Sequence, residues 1–155
     1  FLYLFLRELG HVFQINNSSF PLALEDQSDL SAIQGTDFFK LSWLAEKDNA
    51  VLQQPILFSS TCNFKYSVTK ASCGPQDAFL LYETLTKSSV PTAHGITSPS
   101  EDFAESFANY VYTQMLKQPF EIEISQGDRK LSYTACWDTS RCQEKGKIMK
   151  TLLGN

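Results

Sequence analysis

The segment SPSEDFAESFANYVY at residues 98–112 is the clearest amphipathic helix in the chain. Its Ser-Pro-Ser-Glu start fits a capping box with proline at the first helical position. Glu101 and Glu105 lie one turn apart on one face, whereas aromatic side chains cluster on another side and face a core. We therefore expect a helix over residues 99–117 that presents two carboxylates together, although Glu101 could serve only as a cap residue.

A second helix is expected over residues 1–15, where FLYLFLRELGHVF opens the chain. At about 100° per residue, Arg7, Glu8 and His11 share one arc, and apolar side chains cover most of the rest. Burying ionisable groups is costly unless each finds a partner, so this patch should meet a polar cluster, a ligand or a metal ion. Purely structural pairing is the alternative. Gly10 is tolerable in this helix if another backbone approaches closely there.

The pattern R-E-L-G-H at residues 7–11 differs by one residue from H-E-L-G-H, a form of the H-E-x-x-H helix of zinc peptidases. In that motif the two histidines bind the metal and the glutamate activates water. His11 and Glu8 match the motif. Arg7 does not, because a guanidinium keeps its proton and offers no lone pair to a metal.

Together, the two helices resemble those of the gluzincin metallopeptidases related to anthrax lethal factor and of similar secreted bacterial peptidases. In that family an H-E-x-x-H helix is followed by an E-x-F-A-E-x-F-like helix, which EDFAESF at residues 101–107 resembles. The resemblance implies an α+β, helix-rich, zincin-like metallopeptidase domain. It also implies hydrolysis of peptide bonds by water that a zinc ion activates.

The resemblance gives a role to each matched position. His11 and Glu101 would be zinc ligands, and Glu8 would be the general base. Glu105 would be a carboxylate next to these ligands that does not itself bind the zinc ion. A tyrosine seven residues before the ligand glutamate stabilises the oxyanion in that family, and His94 stands at this position. An imidazole offers a similar hydrogen bond, so His94 is a candidate for that catalytic role; an ordinary loop histidine is the alternative.

Arg7 leaves the zinc site one protein ligand short, because catalytic zinc normally has three protein ligands and a water. We therefore expect zinc to bind weakly or not at all, and peptide hydrolysis to be impaired. Arg7 is expected to pair with Glu101 or Glu105 and to replace the cation electrostatically. Three alternatives stay open: His94 is a substitute ligand, the scaffold is a noncatalytic protein-binding or inhibitory domain, or the motif match is accidental and its residues lie far apart.

Length and charge narrow the class of protein. A chain of 155 residues with 43% hydrophobic residues fits one domain, over 1–155. A net charge of -4 with 13 scattered basic residues argues against nucleic acid, so we expect a peptide or protein substrate or partner. The apolar opening FLYLFL is too short for a membrane span. Because the chain enters a helix directly at Phe1, we expect that upstream residues, including strands of the fold, precede it.

The cysteines at 62, 73, 136 and 142 are even in number and lack C-x-x-C spacing, which favours disulfides over a zinc ribbon. Local pairing of Cys62 with Cys73 and of Cys136 with Cys142 is one of three connectivities. Disulfides indicate a secreted, periplasmic or lumenal protein. Four buried free thiols in a cytosolic protein are the alternative.

Periodicity and turn chemistry predict further elements. PQDAFLLYETLTK at residues 75–87 places apolar side chains three and four apart, which predicts a helix. EIEIS and KLSYTA alternate around Gly127-Asp128 and predict hairpin strands over 121–125 and 130–135. The other expectations are a helix at 140–153, a loop at 88–97, irregular structure at 18–36, and a strand or short helix at each of 38–44 and 55–69.

Overall fold

A computed structural model describes residues 1–17, 30–46, 49–53 and 75–154. A short 3-10 helix (His94–Thr97) precedes the fifth α-helix, and a π-helical turn (Val111–Met115) continues it. The other elements, in chain order, are α1 (Leu2–Asn16), α2 (Leu30–Gly35), α3 (Asp37–Lys40), β1 (Trp43–Glu46), β2 (Asn49–Leu52), α4 (Pro75–Leu85), α5 (Pro99–Tyr110), β3 (Glu121–Gln126), β4 (Arg129–Thr134) and α6 (Gln143–Leu152). Helices and small antiparallel sheets are mixed within these ranges, which confirms the α+β class.

Within the described ranges, the sheets are two hairpins. β1 pairs with β2 from Trp43 opposite Leu52, and β3 pairs with β4 from Glu121 opposite Thr134. The second hairpin turns at Gly127, whose φ of 58° lies in the left-handed region that glycine adopts without strain. This hairpin is the one that the alternating sequence predicts.

α5 is the central helix, and every residue from Asp102 to Tyr110 is buried. α1 packs along it at close range: a Cβ at Gly10 would lie 3.0 Å from both Cα and the carbonyl oxygen of Ala104. The predicted reason for Gly10 in this helix is thereby confirmed. Because the two backbones nearly touch, the polar arc of α1 is held against the first turns of α5.

The core surrounds α5 on its other sides. One hydrophobic cluster, rich in aromatic side chains, lies between α3, β1, α5 and α6, and a second, mostly aliphatic cluster joins α4 to the β3–β4 hairpin. Between α5 and α6, Nζ of Lys145 is 2.6 Å from both carboxylate oxygens of Asp102, and both side chains are 0% exposed. The indole of Trp43 donates a further bond to Asp102 at 2.9 Å. This buried pair ties the last helix to the central one.

The disulfide between Cys136 and Cys142 is formed, as local pairing predicts, and both residues are fully buried. The predicted partners Cys62 and Cys73 lie outside the described residues, as does the apolar run 55–69. Of the helices in the described ranges, none is both long and apolar enough to cross a membrane. On the outer side of α1, apolar side chains are exposed, among them Phe5, Leu9, Val12 and Ile15.

Several expected boundaries need correction. The prediction of irregular structure over 18–36 is wrong at α2, where Ile33 is 2% exposed and joins the core. The run 38–44 divides into the end of α3 and the start of β1, with a turn between them. The loop expected at 88–97 ends in the 3-10 helix. The helix expected from 140 begins at Gln143, after the disulfide turn.

Candidate functional site

Glu101 lies in the first turn of α5, where local sequence sets its position. The hydroxyl of Ser98 accepts a hydrogen bond from the backbone nitrogen of Glu101 at 3.1 Å, and Pro99 starts the helix, as the capping pattern predicts. The carboxylate of Glu101 accepts hydrogen bonds from Arg7 of α1. Glu101 is thus more than a cap residue.

Arg7 is the centre of the charged cluster. Its Nη2 and Nε lie 2.6 and 3.2 Å from Oε2 of Glu101, and its Nε is 3.3 Å from Oε1 of Glu105. Its Nη1 lies 2.5 Å from the carboxylate of Glu8, whose side chain is 60% exposed. The predicted pairing of Arg7 is confirmed with both partners. Glu8 is engaged as well, so its carboxylate neutralises a cation here.

Both histidines of the chain join the cluster. Nε2 of His11 is 3.5 Å and Nε2 of His94 is 3.2 Å from the same oxygen, Oε2 of Glu101. Nε2 of His94 also lies 2.9 Å from Nη2 of Arg7. Each histidine side chain is about a quarter exposed, at 25% and 26%. The structure therefore brings together the residues that the two helical motifs single out, rather than scattering them.

Glu105 is buried behind this cluster and has two partners that the sequence analysis missed. The hydroxyls of Tyr3 and Thr92 each donate a hydrogen bond to its Oε2 at 2.9 Å. Tyr3 precedes Arg7 by four residues on α1, so helical spacing could have placed it on the same face. Thr92 comes from the loop before the 3-10 helix, and no local pattern indicates it.

The pKa values follow from these contacts. Burial disfavours ionised Glu101, but hydrogen bonds and charge from His11 and Arg7 outweigh it and lower the pKa of Glu101 to about 2. Burial also disfavours the charged form of Arg7, yet Glu101, together with Glu8 and Glu105, raises its pKa. Burial and the neighbouring charge of Glu105 raise the pKa of Tyr3. At neutral pH Arg7 is therefore charged and Glu101 is ionised.

Zinc is the metal that the resemblance implies for this cluster. Zinc binds histidine nitrogen and carboxylate oxygen, and His11, His94 and Glu101 supply these atoms. The guanidinium of Arg7 lies against two of the same atoms. As the side chains stand, the described part of the chain contains no group of three or more His, Cys, Asp or Glu residues that could hold a metal ion. The cluster does not fit zinc while Arg7 is in place.

Among the described residues, the contacts of the cluster are charge pairs and hydrogen bonds, and the Arg7 guanidinium lies between Glu101 and His94. Arg7 satisfies Glu101 and Glu8, and hydroxyl groups satisfy Glu105. No family model, no curated protein and no solved structure matches this chain.

Proposed function

We propose that this chain is a zinc-metallopeptidase-like domain in which Arg7 has taken the place of the metal ion, so that peptide hydrolysis is impaired. The observation that carries the proposal is the contact of one guanidinium nitrogen with both Glu101, at 2.6 Å, and His94, at 2.9 Å. These are side chains of the kind that hold zinc in peptidases. The zincin-like fold, and a peptide or protein as substrate or partner, belong to the same proposal.

Electrostatics supports this interpretation of Arg7. A guanidinium cannot ligate a metal, and its charge at contact distance would cost a divalent cation several kcal/mol of repulsion. The same charge stabilises ionised Glu101, whose pKa it helps to lower. Arg7 thus supplies the positive charge that the carboxylates need, and it blocks a second cation from the same place.

The test is the zinc content of the purified protein, measured by mass spectrometry, for the parent chain, Arg7→His and Arg7→Lys. We expect about one zinc per chain in Arg7→His only, because lysine keeps the positive charge and imidazole offers a lone pair. Hydrolysis of fluorescently labelled casein should appear with the zinc and disappear on adding Glu8→Gln. One zinc per chain in the parent would refute the proposal.

A second candidate is a noncatalytic protein-binding or inhibitory domain on the same scaffold. The observation in its favour is that Arg7 closes the cluster and engages Glu8, the residue that the peptidase motif reserves for water activation. Absence of zinc in Arg7→His would favour this candidate, provided that circular dichroism shows the variant to be folded like the parent. Casein hydrolysis by Arg7→His would exclude it.

The same proposal places the protein in an oxidising compartment, since disulfides such as Cys136–Cys142 persist there. Blocking free thiols in intact producing cells, followed by peptide mass spectrometry, should recover this pair unlabelled. Labelled Cys136 and Cys142 in protein from its native source would contradict the location.

A further inference from the structure

We propose that the outer face of α1 is the interface of a symmetric dimer, in which it packs against the same face of a second copy of the chain. The exposed fractions of the large apolar side chains on this face run from 41% at Leu9 to 59% at Phe5. These side chains are Leu2, Leu4, Phe5, Leu9, Val12 and Ile15. Contiguous apolar patches of more than a few hundred Å² are uncommon on monomeric proteins and mark interaction sites.

The spacing of residues on this face is typical of a contact between two helices. Leu2, Phe5, Leu9 and Val12 follow one another at intervals of three, four and three residues, which is the alternation of the positions that meet in a coiled coil. The opposite stripe of α1, which contains Gly10, is buried on α5. α1 therefore has two apolar stripes, of which α5 covers one and the other is exposed.

The charges of α1 favour a protein partner over a lipid surface. Helices that lie on membranes carry lysine and arginine beside their apolar face. Arg7 is the one lysine or arginine of α1, and its side chain is only 11% exposed, within the charged cluster. Glu8 is paired with Arg7 at 2.5 Å. An apolar face with a single, paired carboxylate at its side fits the core of a protein–protein interface, where charged residues are depleted.

The area of the face is sufficient for a second copy. At these exposed fractions the six side chains present roughly 600 Å² per chain, so two copies would bury roughly 1,200 Å² together. Specific interfaces begin at about this total. A symmetric contact uses the same face twice and needs no other exposed apolar surface. Antiparallel pairing, which the helix dipoles favour, would set Phe5 against Leu9 of the second copy.

The test is the molar mass of the 155-residue chain in solution, measured by sedimentation equilibrium over a dilution series. The parent is compared with Leu9→Gln and with Leu80→Gln, a matched control because Leu80 on α4 is 43% exposed. We expect the parent to form a dimer with a micromolar Kd, as interfaces at the low end of the size range do. Leu9→Gln should raise this Kd roughly 100-fold, because a symmetric interface loses each contact twice. Leu80→Gln should leave it unchanged.

The opposite results would overturn the proposal. A parent chain that is monomeric at every concentration would exclude the dimer. Equal dimerisation of all three proteins would place the contact on a face other than the outer face of α1. A monomeric parent that sediments with vesicles of phosphatidylcholine and phosphatidylserine would assign this face to lipid instead. Circular dichroism checks that Leu9→Gln folds like the parent, and Val12→Gln replaces it if it does not. None of these results depends on zinc, so the proposed function is tested separately.

Discussion

Replacing Arg7 with methionine should expose how much of the stability depends on the charged cluster. A pKa of Glu101 lowered from 4.5 to about 2 corresponds to about 3 kcal/mol of preference for the ionised form in the folded state. His11 contributes part of this preference, and the cluster opens to solvent beside Glu8, which is 60% exposed, so that screening also weakens it. The share that Arg7 supplies is therefore about 2 kcal/mol. Methionine keeps much of the buried alkyl length, so packing changes little.

The assay is urea unfolding of the parent chain and Arg7→Met, followed by tryptophan fluorescence from pH 7 down to pH 3.5. At pH 7 the variant should unfold with a free energy about 2 kcal/mol smaller, equivalent to roughly 6 °C in Tm for a chain of this size. A carboxyl group whose folded pKa is lowered stabilises the fold above its ordinary pKa. That stabilisation is lost as the pH falls toward the folded pKa. The gap between the two proteins should therefore narrow below about pH 5, because the unfolded chain then takes up a proton at Glu101 that the folded parent, with its lowered pKa, does not.

A gap that stays constant across this range would refute the electrostatic reasoning, because it would mean that Arg7 acts through packing of its alkyl chain. Arg7→Lys is the matched control. It keeps the charge and should retain most of the stability and most of its dependence on pH.

Two further changes test the framework that holds the site. Lys145→Met should lower the free energy of unfolding by about 4 kcal/mol, because it leaves Asp102 charged, buried and without its cation. Adding Asp102→Asn should recover part of this loss, and thermal unfolding by circular dichroism measures both; a double variant less stable than the single one would contradict the reasoning. Gly10→Ala should destabilise by about 2 kcal/mol despite its better helix propensity, because the new methyl group meets the α5 backbone at 3.0 Å. Gly146→Ala is its control, since a Cβ there meets only a ring carbon at 3.5 Å, and urea unfolding should show it unchanged or stabilised.

The sequence predicts those elements whose signals are local. α1, α4 and α5 follow from helical spacing and capping, and the second hairpin follows from alternation around Gly127. α2 was missed because it is only six residues long and its place depends on burying Ile33 in a distant core. The sequence could not distinguish a strand from a short helix over 38–44, because the periodicity of a short apolar run is ambiguous. Packing decides where α3 ends and β1 begins.

The sequence predicted the site residues that lie on the two helices. It did not predict the contacts that other segments make with these helices. Successive residues on a helix point about 100° apart, so Glu101 and Asp102 leave α5 in different directions. Glu101 meets Arg7 of α1, whereas Asp102 meets Lys145, which is 43 residues away in the sequence. The second pair fixes the rotation of α5 about its axis, and with it the direction of Glu101. The buried Lys145–Asp102 pair therefore positions the charged cluster without touching it, a link that no spacing within either segment encodes.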